Sequence, residues 1–545
     1  MLEHSLLTDG VFRATGADGA VARLSLPQVL ARLSAGEDLA FAALRPHQRA
    51  PWHAFLVQLA YLALEGEDDP TPPTDAAAWA DKLIALTPDH ADGAAWCLIN
   101  ANWQQPAFLQ PPCSAQRVAD FKRTADAAQD IDVLVTARHH DEKTGKLPLG
   151  AETLDALVYA LVLLQGWSAF LGAGNYQTMR MNGGFSSRSQ FRLAFARGTG
   201  REFLRDVDVL IQSEGRLLEV FVKQHPDADL AALHRLLWLA PWDAGSLPLA
   251  AVHPLCLEVC RRVRLVSENG RLLLRRAGSD AMRVAAKDRR GDVMDPWVPI
   301  VRGDEPKALT AQAHSLGYRS LQALFFDSAR FQLPLLAQPT EAERRSNQQG
   351  TWIAQVLVSG DGGTDGFLKR ELPVPQPVLM QVVDAPAALA ARSQQFVNLA
   401  GTASGKVLRS ALLQFVDGGD EVDWKNRDFT RAVEPWVDRY EQAIDEAFFV
   451  QLFDTFGHSP VDDTAAFKQW VTWLADTARA HLASAAQALP TRDGSRLFAR
   501  ARAERLLRLS LHKQFGALLP ASPQMPAAGA APIATESQAE DTAHG

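Results

Sequence analysis

Residues 429–452 read FTRAVEPWVDRYEQAIDEAFFVQL. Phe429, Val433, Trp436, Val437, Tyr440, Ile444, Phe448 and Leu452 recur at the three-to-four spacing of one buried helical face. The same spacing appears on both sides. Leu408, Leu412, Phe415 and Val416 precede it, and Phe467, Trp470, Val471, Leu474, Ala478 and Leu482 follow. A fourth, Arg-rich stretch runs from Gly494 to Phe515. Four amphipathic helices joined by modest loops predict a helical bundle over 385–518. The Ala/Pro/Ser/Glu-rich residues 519–545 predict a disordered tail.

The first 384 residues lack that regularity. Phe12-Arg13 and Val21–Leu24 flank the turn-like Gly16–Gly19, and Val263–Arg276 reads as a hairpin around Glu268-Asn269-Gly270. Helical patterns cover Trp52–Leu64, Ala76–Leu86 and Glu152–Leu171. The predicted class is therefore α+β: a large mixed α/β domain over 1–384, then the bundle. A chain of 545 residues requires more than one core. Four cysteines are too few for a disulfide framework, and the N-terminus lacks the regions of a signal peptide. The apolar run Leu157–Leu171 contains Gln165 and Gly166, which suits a buried helix rather than a membrane span. A cytoplasmic protein is expected.

The charge is −8, yet no Asp or Glu occurs between Asp155 and Glu202. Within that window, Gly172-Ala173-Gly174 and Gly183-Gly184 lie among Arg180, Arg188, Arg192, Arg197 and Arg201. Glycine lets a backbone approach a ligand, and arginine supplies forks that match phosphate. The combination points to a nucleic-acid groove. Two further basic runs, Arg283–Gly291 and Arg492–Arg508, strengthen that expectation.

Catalytic and metal motifs fare less well. Gly401–Val407 has Ala400 and Val407 where a phosphate-binding loop needs Gly and Ser or Thr, and it reads as a break between helices. Gly172-Ala173-Gly174 has Gln177 where a dinucleotide fingerprint needs its third glycine. His253, Cys256 and Cys260 offer three ligands where structural zinc takes four. The cysteine pair, four apart on one helical face, reads as core packing. His139-His140-Asp141 could hold a divalent metal in a phosphohydrolase, but no companion ligands are evident, and the polar segment reads as a contact loop. No cofactor and no catalytic residue is assigned.

Several segments, in order, resemble the CasA family, the large subunit of the type I-E CRISPR Cascade complex. They are Leu24–Leu30, Gln105-Pro106-Ala107-Phe108-Leu109-Gln110, the glycine segment with Arg180 and Asn182-Gly183-Gly184, Gly363–Pro375, and Lys406–Leu412. The resemblance implies a non-enzymatic subunit. Family members read the protospacer-adjacent motif (PAM) of double-stranded DNA from the minor groove and help open the duplex. They also contact the crRNA handle and other Cascade subunits, and recruit an effector helicase-nuclease. Carried over by position, Gly172, Ala173, Gly174 and Asn175 become the groove-reading loop, with Arg180 beside it. Lys287, Arg289 and Arg290 stand near the groove-probing lysine. His139 and His140 fall near the guide handle. Gly363, Thr364 and Asp365 occupy the region of the strand-separating wedge, without the family's glutamine. The alternatives are a metal-dependent phosphohydrolase using His139-His140-Asp141, and a purely structural scaffold.

Overall fold

The computed structural model describes residues 2–132, 149–183, 188–312, 315–360, 363–419, 422–457, 461–492 and 495–519. These form two compact units: Met1–Gln394 with Phe456–Ser459, and Gln395–Thr455 with Pro460–Gly545. The chain is α+β, with small sheets and helices in the first unit and helices in the second.

The first unit is organised around two apolar helices, Arg49–Leu64 and Leu154–Trp167. Nearly every residue of both is buried, because their apolar residues run all the way round and not along one stripe. Their few polar groups are matched. Asp155 accepts two hydrogen bonds from Arg13, at 2.9 and 2.8 Å. Gln58 donates to the carbonyls of Leu255 and Cys256, and Gln165 to those of Leu109 and Arg261. Trp52 meets Tyr159 edge-on at 5.0 Å between the helices. Among the described residues, no helix is long and apolar enough to cross a membrane.

Small sheets, mostly antiparallel, surround this core. Phe12–Thr15 pairs with Val21–Leu24 and with Ala40–Phe41. Arg262–Glu268 and Arg271–Ala277 form the expected hairpin, joined by Asn269 and Gly270 at φ 53° and 75°. Two positive φ values at those positions suit a primed turn, which Asn-Gly supplies with little strain. The longest hairpin, Gly350–Gly360 with Gly363–Val374, carries a bulge between Val358 and Ser359 and adds Gln190–Ala194 on its outer edge.

In the second unit, helices Arg427–Asp454 and Asp463–Ala488 bury the stripes expected of them except Trp436 and Phe467, which stay half-buried, and Arg496–Phe515 forms the fourth, Arg-rich helix. Asn426 and Asp462 cap the first two through their side-chain oxygens. Trp470 stacks on Phe396 at 5.3 Å and donates its indole N–H to the Phe396 carbonyl. The Arg-rich helix buries Ala499, Ala503, Leu507, Leu511 and Phe515, and its arginines lie outside that stripe.

Two expectations require correction. Gly401–Val407 is not a break. Pro386–Thr402 continues through a π-helical turn, Ala403–Leu408, into Arg409–Asp417, so the glycine is absorbed by a wider turn. Cys256 and Cys260 do not share a helical face. Val252–Leu257 is a strand and Cys260 lies beyond it. A short apolar run suits a buried strand as well as a helix. Both thiols are buried, and burial pushes each up to about 11, as befits core side chains.

Candidate nucleic-acid interface

The glycine segment leaves the end of helix Leu154–Trp167 and makes a tight turn. Leu171 N–H donates to the Asn175 carbonyl at 2.9 Å, and Asn175 N–H returns to the Gly172 carbonyl at 3.0 Å. Gly172 and Gly174 have φ of 94° and 80°, which a side chain would strain. A Cβ on Gly172 would meet nothing within 4 Å, so the turn opens outward there. Ala173 between them is exposed. Gly174 faces the protein: its Cβ position lies 3.4 Å from Gly278, and its carbonyl accepts from Ser279 N–H at 3.1 Å. The buried Arg261 ties the base of the turn, donating to the Ala169 and Tyr176 carbonyls. The result is a bare backbone tip on an anchored stem.

The arginines around it are not what the acid-free window suggests. Arg180 is 1% exposed. It donates to Glu258 at 2.9 Å and to the carbonyls of Pro254 and Cys256, and lies 3.6 Å from Asp295. Its assignment to a DNA surface is corrected: it is a core cation, paired because an unpaired buried charge is prohibitively costly. Arg188 is also inside, bound to Asp295 and sandwiched by Trp167 and Trp297 at 4.7 and 5.2 Å. Arg192 pairs with Glu202 and faces Asp206. Burial raises the Glu258 carboxyl above its ordinary range even though Arg180 opposes the shift, so this network is held at a desolvation cost. Only Arg197 and Arg201 of the five are exposed.

The second basic segment divides similarly. Arg283 is buried over Trp242 and bonded to the carbonyls of Leu237, Ala240 and Pro241. Burial lowers its guanidinium to about 10. Lys287, Arg289 and Arg290 lie on a turn in which Arg290 N–H donates to the Lys287 carbonyl. Arg289 donates to Gln224 and to the Asp292 carbonyl, and Arg290 pairs with Glu305 at 2.6 Å. Lys287 is exposed, and among the described residues no carboxylate pairs with it. Gly291, at φ 82°, fixes this turn against the glycine segment. A Cβ there would come within 2.8 Å of the Met181 backbone and 2.6 Å of Ala308.

Two of the anticipated segments thus meet where Gly291 approaches the Met181 backbone, while Gly174 packs on Gly278 just beyond the hairpin. Sequence reasoning missed the contacts that Gly278 and Met181 make, along with Glu258 and Asp295. A signal for the acids existed. Glu258 stands between Leu257 and Val259, and Asp295 precedes Pro296-Trp297. A lone carboxylate in apolar company needs a buried cation. In the wedge region, Gly363 pairs with Gly360 and Thr364 with Ser359, at the end of the long hairpin, and Asp365 follows in the same strand. His139, His140 and Asp141 lie outside the described residues, as does Gly184.

No protein-family model matches the chain, and no curated protein matches its sequence. Solved structures do match. The CRISPR-associated protein Cse1 from Acidimicrobium ferrooxidans aligns with a TM-score of 0.61 at 17% identity, over 95% of this chain and 100% of that one. Cse1 of Thermobifida fusca gives 0.60 at 14% identity, over 94% and 97%. CasA of Thermus thermophilus gives 0.58 at 14% identity, over 94% and 100%. Sequences this divergent share little beyond the path of the backbone, and that path is shared across both units. The chain has the Cse1/CasA fold.

Proposed function

We propose that the chain is the non-catalytic large subunit of a type I-E Cascade complex, which reads the PAM of double-stranded target DNA. The outward-facing turn Gly172–Asn175 carries this reading. A minor groove is narrow, and its hydrogen-bond pattern is degenerate, so a side-chain-free backbone tip suits permissive readout there. Lys287 supplies an uncommitted cation for the flanking backbone, while Arg289 and Arg290 hold its turn in place. The long hairpin ending at Gly363–Asp365 is the element that would separate the strands. Unstacking a base step costs roughly a few kcal/mol, which guide pairing then offsets. Contact with crRNA and neighbouring subunits, and recruitment of the effector helicase-nuclease, belong to the same proposal.

The test is G172V/G174V in the assembled complex. Both substitutions place a β-branched side chain at positive φ, and the first fills the open tip. The complex should assemble with unchanged stoichiometry and lose duplex target binding. Normal target binding by this variant would overturn the assignment of the turn.

A further inference from the structure

We infer that a second surface of the first unit is a docking groove for an acidic polypeptide segment of a partner protein. Two cavities, of about 520 and 300 Å³, share Leu324 and Phe331. Arg216, Arg302 and Arg344 line the larger, and Arg319 and Arg330 the smaller. Neither lining contains an Asp or Glu, in a chain whose net charge is −8. Among the described residues, no carboxylate pairs with Arg216, Arg302 or Arg344. The glutamates nearest Arg344 in sequence are turned to other cations: Glu343 binds Arg205 at 2.9 Å, and Glu341 binds Arg345. Three guanidinium groups around the larger cavity, none paired with a described carboxylate, make a field that an anionic occupant balances.

The walls decide which anion. Phe325, Phe326 and Phe331 are 5–8% exposed, and Phe325 already stacks on Trp352 at 4.2 Å. Their faces are therefore closed to bases, which removes the stacking platform that single-stranded nucleic acid requires. What the groove presents instead is aliphatic: Pro339, Val382, Pro386 and the 43% exposed Val383. Aliphatic walls between guanidinium forks fit a segment in which Asp or Glu alternates with apolar side chains, its carboxylates held by two-point pairing.

The experiment pans a random peptide library on the full chain, then repeats binding on R216E/R302E and, separately, on V383D. Arg216, Arg302 and Val383 are exposed, so both variants should fold, as circular dichroism will show. Peptides combining acidic and apolar residues should be enriched. Each variant should bind the best of them about tenfold more weakly or worse. The inference fails if no acidic peptide is enriched, or if both variants bind as well as the parent. It also fails if an oligothymidylate protects residues 324–344 from hydrogen exchange and displaces the selected peptide.

Discussion

Arg188 and Asp295 form a two-point ion pair in the interior, with Nε to Oδ2 at 2.6 Å and Nη2 to Oδ1 at 2.9 Å. Both side chains are 2% exposed or less. Asp295 also faces Arg180 and accepts the Trp297 backbone N–H at 2.9 Å. One carboxylate thus serves two buried guanidinium groups and fixes the backbone between them. Replacing it with alanine strands a buried cation, so Asp295→Ala should destabilise the protein by about 3–5 kcal/mol. Urea unfolding followed by tryptophan fluorescence measures this, since Trp167 and Trp297 flank the pair. A loss below about 1 kcal/mol would mean that Glu258 alone balances both arginines.

Gly291 is where the Lys287 turn meets the glycine segment. A methyl group there would enter the space of the Met181 backbone at positive φ, and backbone atoms cannot step aside cheaply. Gly291→Ala should therefore lower stability by about 2 kcal/mol and shift the Lys287 turn away from Met181. A control is Gly270→Ala, also at positive φ but with nothing within 4 Å of its Cβ. That variant should lose only the conformational part, about 1 kcal/mol. Equal losses in the two would show that the Met181 contact gives way without cost.

These contacts mark where the sequence stops being informative. The hairpin at Asn269-Gly270 and the stripe from Phe429 to Leu452 were legible because each rests on neighbours within a few residues. The exposed glycine turn was legible for the same reason. The roles of Arg180, Arg188 and Arg192 were not. A window without acids looks like a basic surface when the partners come from Glu258 and Asp295 elsewhere in the chain and, for Arg192, from Glu202 and Asp206 just past its end. Lys287 and Arg283 lie four residues apart, yet one is in solvent and the other lies over Trp242. Charge composition alone cannot separate those fates. Coverage by the fold does.

A second buried carboxylate gives the pH dependence a defined sign. Burial alone would raise the Asp206 carboxyl, but the His53 hydrogen bond at 2.7 Å and the charges of Arg192 and Arg205 outweigh it and hold it below its ordinary 3.8. A depressed carboxylate contributes stability above its unfolded value, and loses it as pH falls through the folded one. Thermal unfolding should therefore shift down as pH drops below about 4. Asp206→Asn should be less stable at neutral pH and show a flatter acid limb. Parallel curves for the two proteins would place the acid sensitivity elsewhere.

The strongest discrimination between surface and core cations comes from comparing Lys287 with Arg180. An exposed lysine on a phosphate displaces condensed counterions, so Lys287→Ala should weaken duplex binding by the assembled complex similarly for every PAM sequence. It should also reduce the slope of log Kd against log salt by about 0.9. Its melting temperature should match that of the parent protein, because no other described side chain pairs with Lys287. Arg180→Ala removes the partner of Glu258 at 2.9 Å and leaves that carboxylate buried, so its first effect should be on folding, at about 3–5 kcal/mol. Where residual folded Arg180→Ala complex can be isolated, its salt slope should equal that of the parent. A slope reduced by Arg180→Ala and untouched by Lys287→Ala would reverse the two roles, returning Arg180 to the DNA and removing Lys287 from it.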